Sequence, residues 1–364
     1  MLRKRQENIQ RAKWVWINLL NNLNETQQIL TKQNIRIGFI GAGSIGSLFG
    51  GYLAKIQSDK YSLEVIFFNT KPFVDVINEE GLKLFKDQEV IMIKNIIAYE
   101  SEKSLEELIN QDSSFQFGFL FLTTKAYDNE KAMLQYKKFF NASKYLVILQ
   151  NGIGNEDIAI QFIEKARIIR VVTTEGALLD KPGHLYHTGE GITKIGFPFL
   201  NDLNLKPKEL EQAESDLNLL NDILNLAGFE TIVVRDIIME SWEKVFVNIG
   251  INAVGALSRL PNGKLLENEG LRYLLEQAVI ESVKIAKMKG IKLPEKDYIS
   301  IAYDVAEKTA DNKNSMLQDI LNRKATEIDF MNGRILKYAI GLGVKVPVNE
   351  ILTYLIKGLE QSKN

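Results

Sequence analysis

Short apolar runs alternate with helical patterns over the first two thirds of the chain. Residues 35–40 and 62–69 are short apolar segments, and the stretches 115–128 and 145–157 each begin with an apolar run that leads into polar residues. Runs of this length, bounded by polar or glycine-rich segments, predict buried strands of a doubly wound sheet. Residues 171–197 alternate and turn like β-hairpins, with glycine and proline between the alternating segments.

The periodicity changes after a last strand predicted at 231–236. From there on, the pattern is helical over five segments, residues 239–259, 265–289, 294–310, 315–340 and about 348–361. We therefore expect an α/β domain over 35–236, followed by an all-helical domain over 237–364. Residues 1–34 carry apolar positions at helical intervals and predict a helical N-terminal extension.

Length, charge and cysteine content narrow the class of protein. A chain of 364 residues can form two domains that each bury a core. Its formal net charge of -1 gives no reason to expect nucleic acid or a membrane surface as a partner. Cysteine is absent, which excludes disulfides and thiolate nucleophiles, and no apolar run in the sequence is long enough to span a membrane. These features predict a cytoplasmic protein.

A glycine-rich segment connects the first predicted strand to a helix. Its residues are Gly41, Ala42, Gly43, Ser44, Ile45 and Gly46. In a dinucleotide-binding fold, the first glycine of this spacing permits a tight turn and the second lets the backbone approach a pyrophosphate. The third lets the helix pack close to the strand. Because the positive end of that helix attracts phosphate, the segment predicts a dinucleotide site.

The end of the second predicted strand bears on the choice between NAD and NADP. An acidic residue at this point hydrogen-bonds the ribose 2'-hydroxyl of NAD and repels a 2'-phosphate. This chain has Asn69, Thr70 and Lys71 there instead. The two neutral side chains can bond a phosphate and the lysine can neutralise it. The predicted cofactor is therefore NADPH/NADP+.

Polar residues follow two later strands of the predicted sheet. Thr124 and Lys125 come after one apolar run, and Asn151 comes after the next. Ligands of doubly wound sheets bind in the crevice outside the carboxyl ends of the strands. We expect these three residues to lie beside the cofactor.

The helix predicted at 239–259 is apolar nearly all round but carries Lys244, Asn248 and Asn252 at intervals of four. A four-residue step advances about 40° around a helix, so the three side chains form one stripe. A buried lysine without a partner is unfavourable. We expect the stripe to face the glycine-rich segment across a cleft, and a structural hydrogen-bonded stripe is the alternative.

A second polar cluster lies within residues 311–333. Asn312 and Ser315 come at the start of a predicted helix, where they can cap it or bind an anion. Glu327 lies 12 residues after Ser315, about three and a third helical turns, and is expected on the same broad face. The only histidines, His184 and His187, lie in the hairpin region without an acidic partner at an obvious spacing, which favours a structural role.

These motifs occur together in one known family. Over about residues 35–350 the chain resembles ketopantoate reductases (2-dehydropantoate 2-reductases) in the segments GFIGAGSIG, TTKAYD, LQNGIGNED, TTEGA, GHLYHTGEG, WEKVFVNIGINAVGALSRLPNGKLL and NSMLQDILNRKATEIDFMNG. The resemblance implies a Rossmann-type NADP-binding domain followed by an all-α domain of the 6-phosphogluconate dehydrogenase C-terminal-like type. It also implies NADPH-dependent reduction of ketopantoate to (R)-pantoate, on the route to pantothenate and coenzyme A.

The resemblance further implies roles for individual residues. Lys244 would be the catalytic acid, and Glu327 would lie near the reacting centre and the cofactor. Lys125 and Asn151 would lie at the cofactor. This chain departs from the family at one point, since members usually carry an arginine for the 2'-phosphate after the second strand, where this chain has Asn69, Thr70 and Lys71. The residues implied to bind substrate are Asn248, Asn252, Asn262, Asn312 and Ser315.

The chemistry of these residue types agrees with that function. A 2-oxo acid that accepts a hydride develops negative charge on its carbonyl oxygen, which needs a proton donor or a cation. The Lys244 ammonium can serve as both, and no metal is required. Two other functions stay open, a paralogous NAD(P)H-dependent reductase of another small 2-oxo acid and a non-catalytic NADP(H)-sensing module. The sequence is also compatible with a homodimer.

Overall fold

The computed structural model describes residues 32–100, residue 109 and residues 114–362. Nearly all of the expected N-terminal extension, residues 1–31, lies outside the described part, and it stays a prediction. Strands occur between residues 33 and 233, and the elements from residue 237 onward are helices. The predicted fold class, an α/β region followed by an all-α region, is confirmed.

Two sheets make up the α/β region. Their strands are β1 (Gln33–Ile40), β2 (Tyr61–Phe68), β3 (Leu82–Lys86), β4 (Glu89–Ile93), β5 (Ile96–Tyr99), β6 (Phe117–Leu122), β7 (Ser143–Ile148), β8 (Ile168–Thr173), β9 (Gly176–Lys181), β10 (His184–Gly189), β11 (Ile192–Gly196) and β12 (Glu230–Val233). The main sheet has eight strands in the order β12-β11-β8-β7-β6-β1-β2-β5. Its neighbours are parallel except β8 and β11. The order reverses between β1 and β6, which is where such sheets bind ligands.

The second sheet is smaller and has the order β4-β3-β10-β9. The hairpins predicted over 171–197 are present, but β9 and β10 leave the main sheet while β8 and β11 stay in it. The backbone N–H of Leu179 in β9 donates to Ser44 Oγ at 3.0 Å. This contact joins the small sheet to the glycine-rich segment, so β9 becomes one wall of the crevice.

Helices cover both faces of the main sheet and are the elements of the described region from residue 237 onward. They are α1 (Ser44–Ala54), α2 (Lys71–Glu79), α3 (Asn129–Gln135), α4 (Lys137–Asn141), α5 (Asn155–Ala159), α6 (Pro207–Leu226), α7 (Ile237–Ser258), α8 (Lys264–Glu267), α9 (Glu269–Met288), α10 (Tyr298–Lys308), α11 (Ser315–Leu321), α12 (Asn332–Leu342) and α13 (Pro347–Gln361). Alternate side chains of β1 and β2 enter two cores, with Phe39 and Phe67 on one face and Ile40 and Phe68 on the other. Among the described helices, none is both long and apolar enough to cross a membrane.

Helix α7 is the central element of the helical region. It begins after Asp236, whose carboxylate accepts from the Met239 N–H at 2.9 Å, and it ends at Arg259 with a φ of 58°. Its apolar side chains, such as the fully buried Phe246 and Ile249, pack against α9, α10, α11 and α13. The packing on all sides makes α7 a rigid support for the polar stripe.

Two helices begin later than their periodicity predicts. The pattern over 265–289 is divided into α8 and α9 at Asn268, whose side chain accepts from the Leu271 N–H at 3.1 Å. The pattern over 294–310 becomes helical only after Asp297, which accepts from two N–H groups of the first turn of α10. In both cases a side-chain cap fixes the start of the helix.

The single helix predicted over 315–340 is wrong, because the structure has α11 and α12 with a 3-10 turn, Ile328–Phe330, between them. The chain leaves α11 through Arg323 at a φ of 54°, and the Thr326 N–H then donates to Glu360 of α13 at 2.6 Å. The apolar periodicity continues across the break, and neither glycine nor proline marks it. Glu327 therefore lies on a connection between helices, not on a helical face shared with Ser315.

Candidate active site

The glycine-rich segment turns tightly at the carboxyl end of β1. Gly41 has a φ of +78°, and a Cβ at that position would lie 2.4 Å from Thr124 Cγ2. A Cβ at Gly46 would lie 2.4 Å from Thr123 Oγ1, so the glycine lets α1 pack against the end of β6. A Cβ at Gly43 would meet only the Gly41 carbonyl oxygen, at 3.9 Å. Open space therefore remains above the first turn of α1, as a pyrophosphate requires.

The residues after β2 hold the glycine-rich segment from the side. Asn69 donates through Nδ2 to the Ala42 carbonyl at 3.0 Å, and its Oδ1 accepts from the Thr70 N–H at 2.8 Å. Lys71 begins α2 and lies 3.2 Å from Asp75 in an exposed ion pair. Asn69 is thus engaged with the protein backbone, while the Lys71 ammonium stays at the surface.

Glu100 is an acidic residue in this area that the sequence patterns did not reveal. Strand β5 runs beside β2, with Tyr99 opposite Phe68. Glu100 follows at the next position and lines a large cavity together with Asn69. The signal was hidden because the acidic residue follows the neighbouring strand rather than β2 itself.

That cavity has a volume of about 940 Å³ and opens at the carboxyl ends of β1, β2, β6 and β7. Its volume lies in the range of ligand-binding sites in proteins. The glycine-rich segment forms one side, β9 a second, and α11 with the following connection a third. The predicted site residues that line it are Gly41, Gly43, Ser44, Ile45, Asn69, Thr70, Thr124, Lys125, Asn151, Ser315 and Glu327.

Lys244 reaches from α7 to the turn that follows β7. Its Nζ donates to Asn151 Oδ1 at 2.8 Å. Lys244 and Asn248 also line a second cavity of about 10 Å³, about the smallest that can hold one water, together with Gln150 and Arg170. Gln150 and Asn151 line both cavities, so the ammonium lies next to the large one. This part of the polar stripe faces the α/β region, as expected.

The surroundings of Lys244 change its acidity. Burial lowers the pKa of its ammonium to about 8, the positive charge of Arg170 acts in the same direction, and Glu327 opposes them. An ordinary lysine has a pKa of about 10.4 and gives up its proton far less readily. The Lys244 ammonium is therefore a stronger acid than that of an ordinary lysine.

Glu327 connects the helical region to the end of β6. One carboxylate oxygen accepts from the Ala126 N–H at 3.0 Å, and the other lies 3.9 Å from Lys125 Nζ. Lys125 Nζ also lies 2.7 Å from Asp319 of α11. Burial opposes the Lys125 charge, but Glu327 and Asp319 together raise the pKa of that ammonium. Lys125 therefore stays protonated and presents a cation to the large cavity.

Three of the residues implied to bind substrate lie inside the helical region. Asn252 is buried, with Nδ2 3.6 Å from Met331 Sδ. Asn262 is buried and donates to Thr309 Oγ1 at 2.9 Å, and the carbonyl of the exposed Asn312 accepts the Asn262 N–H at 3.0 Å. Within the described part of the chain, neither cavity is lined by these three side chains. The structure thus gathers Lys244, Asn248 and Ser315 at the cavities and leaves the other three apart.

The histidines lie in the small sheet. His187 has an acidic partner after all, because Glu175 lies 2.7 Å from its Nε2, while Nδ1 is 2.9 Å from the Tyr52 hydroxyl. The sequence spacing did not indicate this partner, because it is the β9–β10 hairpin that folds position 175 back against position 187. His184 stacks on Phe85, with ring centroids 5.7 Å apart. The His187 contacts fasten α1 to the small sheet, which fits a structural role.

Four polar residues that support the site were missed by sequence reasoning. Gln150 donates to the Thr124 carbonyl at 2.7 Å and ties the turns after β6 and β7 together. Asp319 pairs with Lys125, as described above. Arg170 and Glu156 form a buried ion pair beside the small cavity. A signal for Arg170 was available, because an arginine within the apolar run IIRVVT is unusual in a buried strand.

Comparison with known families settles the relationship. The family model described as ketopantoate reductase PanE/ApbA matches residues 37–198, and the one described as ketopantoate reductase PanE/ApbA C terminal matches residues 236–360. The chain belongs to the ketopantoate reductase family. The family resemblance of the motifs is thereby confirmed, and so is the class of oxidoreductase with a Rossmann-type domain.

Curated members of the ketopantoate reductase family match almost end to end. The chain is 35% identical over 330 residues to 2-dehydropantoate 2-reductase of Pyrococcus abyssi, covering 90% of this chain and 98% of that one. It is 31% identical over 329 residues to the enzyme of the same name from Archaeoglobus fulgidus, covering 89% and 98%. The chain therefore covers 98% of the length of each of these two relatives.

Solved structures of enzymes with two different names share the fold of this chain. D-mandelate dehydrogenase, solved as a ternary complex with NADH and anilino(oxo)acetate, superimposes with a TM-score of 0.76 at 25% identity, covering 91% of this chain and 100% of that one. The PanE/ApbA family ketopantoate reductase from Ralstonia eutropha superimposes with a TM-score of 0.74 at 25% identity, covering 90% and 99%. Proteins with this fold thus include both a D-mandelate dehydrogenase and a ketopantoate reductase.

Proposed function

We propose that the protein catalyses the NADPH-dependent reduction of 2-dehydropantoate to (R)-pantoate, with Lys244 as the general acid. The observation that carries this proposal is the contact of Lys244 Nζ with Asn151 Oδ1 at 2.8 Å, beside the cavity that the glycine-rich segment lines. The name of the Pyrococcus abyssi relative supports the choice of substrate. The product would enter the synthesis of pantothenate and coenzyme A.

NADPH, when bound, would supply a hydride to the 2-oxo carbon of the substrate and would be oxidised to NADP+. As negative charge develops on the carbonyl oxygen, Lys244 Nζ donates a proton to it and becomes a neutral amine. Solvent then returns a proton to the amine. A pKa of about 8 leaves most Lys244 protonated at neutral pH, yet makes it a stronger acid than an ordinary lysine.

The residues of the large cavity fit a dinucleotide. Gly43 leaves open space at the N-terminus of α1, where backbone N–H groups and the helix dipole favour a pyrophosphate. Lys125 would add a positive charge, and Thr124 and Asn151 would add polar contacts along the same edge of the sheet.

The substrate would lie between α7 and α11. Ser315, at the start of α11, suits the substrate carboxylate, and Asn248 suits a hydroxyl group. Asn252 and Asn262 contact other parts of the helical region, and Asn312 does not line the large cavity. Proposed contacts of these three side chains with substrate therefore require them to turn toward it on binding.

The proposed preference for NADPH depends on the positive charge of Lys71 near the 2'-phosphate. The negative charge of Glu100 should weaken this preference. Lys71→Ala should raise the KM for NADPH, because it removes the cation proposed to neutralise the 2'-phosphate. Glu100→Gln should lower that KM, because it removes a negative charge that repels the same group. Neither change should alter the KM for NADH by a comparable factor. Wild-type protein that turns over NADH with a higher kcat/KM than NADPH would refute the preference.

A second candidate function is the reduction of another small 2-oxo acid. The likeness to D-mandelate dehydrogenase favours keeping this alternative, since a related fold carries a different substrate name. A non-catalytic NADP(H)-sensing module is less well supported, because the curated relatives that match over about 90% of the chain carry the names of reductases.

One assay separates the three functions. NADPH oxidation would be followed at a constant enzyme concentration, with ketopantoate and with a panel of other 2-oxo acids that includes an aromatic one. The proposal expects the highest kcat/KM with ketopantoate. A higher value with another acid would support the second candidate. Tight NADPH binding without turnover of any acid would leave only the sensing function.

A further inference from the structure

Arg170 is a buried cation immediately behind the proposed acid. It lies in β8, is 2% exposed and lines the small cavity together with Lys244. Its Nε lies 2.9 Å from a carboxylate oxygen of Glu156, which is itself buried in α5. Two cations that share one small cavity repel each other, so the pair requires compensation by nearby acidic groups.

The guanidinium connects the elements that hold the active-site contact. One terminal nitrogen donates to the Gly152 carbonyl at 3.0 Å and the other donates to the Ile148 carbonyl at 3.3 Å. These two carbonyls lie on either side of the segment that carries Asn151. Nε also donates to Ser241 Oγ at 3.4 Å, and Ser241 lies on α7 one turn before Lys244. Arg170 therefore contacts both the turn that presents the acceptor and the helix that presents the donor.

Glu156 completes the arrangement from the other side. It lies on α5, which directly follows the turn that carries Asn151, and Asn155 Nδ2 donates to the Asn151 carbonyl at 3.0 Å. The ion pair of Arg170 and Glu156 thus fixes the start of α5 relative to β8. The planar fork of arginine is suited to hold several acceptors in one geometry, which lysine cannot do.

We propose that Arg170, held by Glu156, is a positioning residue that aligns Asn151 with Lys244 and sets the charge that the Lys244 ammonium faces. The inference rests on the proposed role of Lys244 as the acid. Its consequence is that the reaction depends on a pair of residues that touch neither substrate nor cofactor. Loss of the pair should change kcat and its pH dependence more than it changes the KM of either substrate.

The direction of the pH effect follows from the charges around Lys244. Arg170 from β8 lowers the pKa of Lys244, and Glu327 from the connection after α11 raises it. Glu156 from α5 acts on Arg170 and partly offsets its charge. Removal of the Arg170 charge should therefore raise the pKa of Lys244. Removal of the Glu156 charge should lower it, because the Arg170 cation is then less balanced.

The test compares three variants with the wild type over a range of pH. Arg170→Gln removes the charge but keeps a donor for the carbonyls, so the high-pH limb of kcat should move upward by on the order of one pH unit. Glu156→Gln should move the limb downward. Arg170→Lys is the matched control, since it keeps the charge and loses the fork. It should leave the limb in place while kcat falls by up to about 100-fold.

A second readout makes the result independent of catalysis. The titration of Lys244 would be followed by NMR of lysines labelled at Cε, with its signal assigned by its loss in Lys244→Arg. Opposite shifts of this titration in Arg170→Gln and Glu156→Gln support the proposal, and if only one of these variants folds, a shift in its own expected direction supports it. An unchanged Lys244 titration in every folded variant would overturn it. If the titration shifts but the kcat limb does not follow, the effect of the Arg170 charge on Lys244 stands, and the proposed role of Lys244 as the acid fails.

Discussion

The two walls of the site are constructed in different ways. The wall at β1 and α1 depends on main-chain conformation and on missing side chains, since Gly41 turns at a φ of +78° and Gly43 leaves open space. The wall at α7 depends on charged side chains from distant parts of the chain. There Lys244 contacts Asn151 from 93 residues away. Arg170 lies behind this contact in β8.

Because one wall is formed by backbone and the other by charged side chains, the two walls should respond differently to mutation. A backbone wall fails when a side chain fills the space or strains the turn, which affects stability and cofactor affinity. A wall of buried charges fails when one member of the set is removed, which changes the acidity and alignment of the others. Mutations in the first wall should therefore change binding, and mutations in the second should change rate and pH dependence.

Removal of the acid should produce the largest effect. Lys244→Ala should lower kcat with ketopantoate by roughly 100-fold to 10,000-fold, the range for loss of a general acid, while the dissociation constant of NADPH changes little. Steady-state kinetics and fluorescence titration of NADPH would measure the two quantities. Lys264→Ala, at an exposed lysine paired with Glu267, is the control and should behave like the wild type. Equal losses of kcat in Lys244→Ala and Lys264→Ala would contradict a specific effect of the α7 wall on the rate.

A methyl group in the backbone wall should act on binding and stability. Gly41→Ala should lower the free energy of unfolding by about 1–3 kcal/mol and weaken NADPH binding, because it combines a positive φ with a clash against Thr124. Gly228→Ala is the matched control, with a φ of +97° and nothing within 4 Å of the added carbon. Urea unfolding and NADPH titration would measure both variants. NADPH affinity that is unchanged in Gly41→Ala would contradict the proposed pyrophosphate site.

The smallest expected effect separates two members of the polar stripe. Asn248→Ala, at the small cavity, should raise the KM for ketopantoate with little loss of stability. Asn252→Ala should instead cost about 1 kcal/mol of stability, because Asn252 is buried against Met331. Kinetics and thermal unfolding of the pair would be compared. A larger rise in KM for Asn252→Ala would show that this side chain turns toward the substrate during the reaction.

Local sequence was sufficient to predict the backbone wall at β1 and α1. The glycine spacing after an apolar strand predicted the turn, the helix and the place of the crevice, because conformation there depends on a few adjacent residues. The order of apolar runs also predicted the two kinds of domain. The boundaries of the helices were less secure, as the start of α9 at Asn268 shows, since caps override periodicity by a few residues.

The charged wall was less predictable because its members are distant in sequence. Family resemblance supplied Lys244 and Glu327, but the support from Arg170 and Glu156 depends on how β8, α5 and α7 meet. The break between α11 and α12 had no local marker, because the Thr326 N–H is satisfied by Glu360 of α13. Tertiary contacts of this kind leave no trace in hydrophobic periodicity.

The pH dependence of kcat/KM for ketopantoate at saturating NADPH tests the role of Lys244 most directly. The acid must be protonated, so kcat/KM should be level at lower pH and should fall tenfold per pH unit above the Lys244 pKa of about 8. Lys244→Gln should show low activity without this limb. Two results would contradict the role of Lys244 as the general acid. One is a wild-type profile that stays level up to about pH 10, the range of an ordinary lysine, and the other is a high-pH limb that persists in Lys244→Gln.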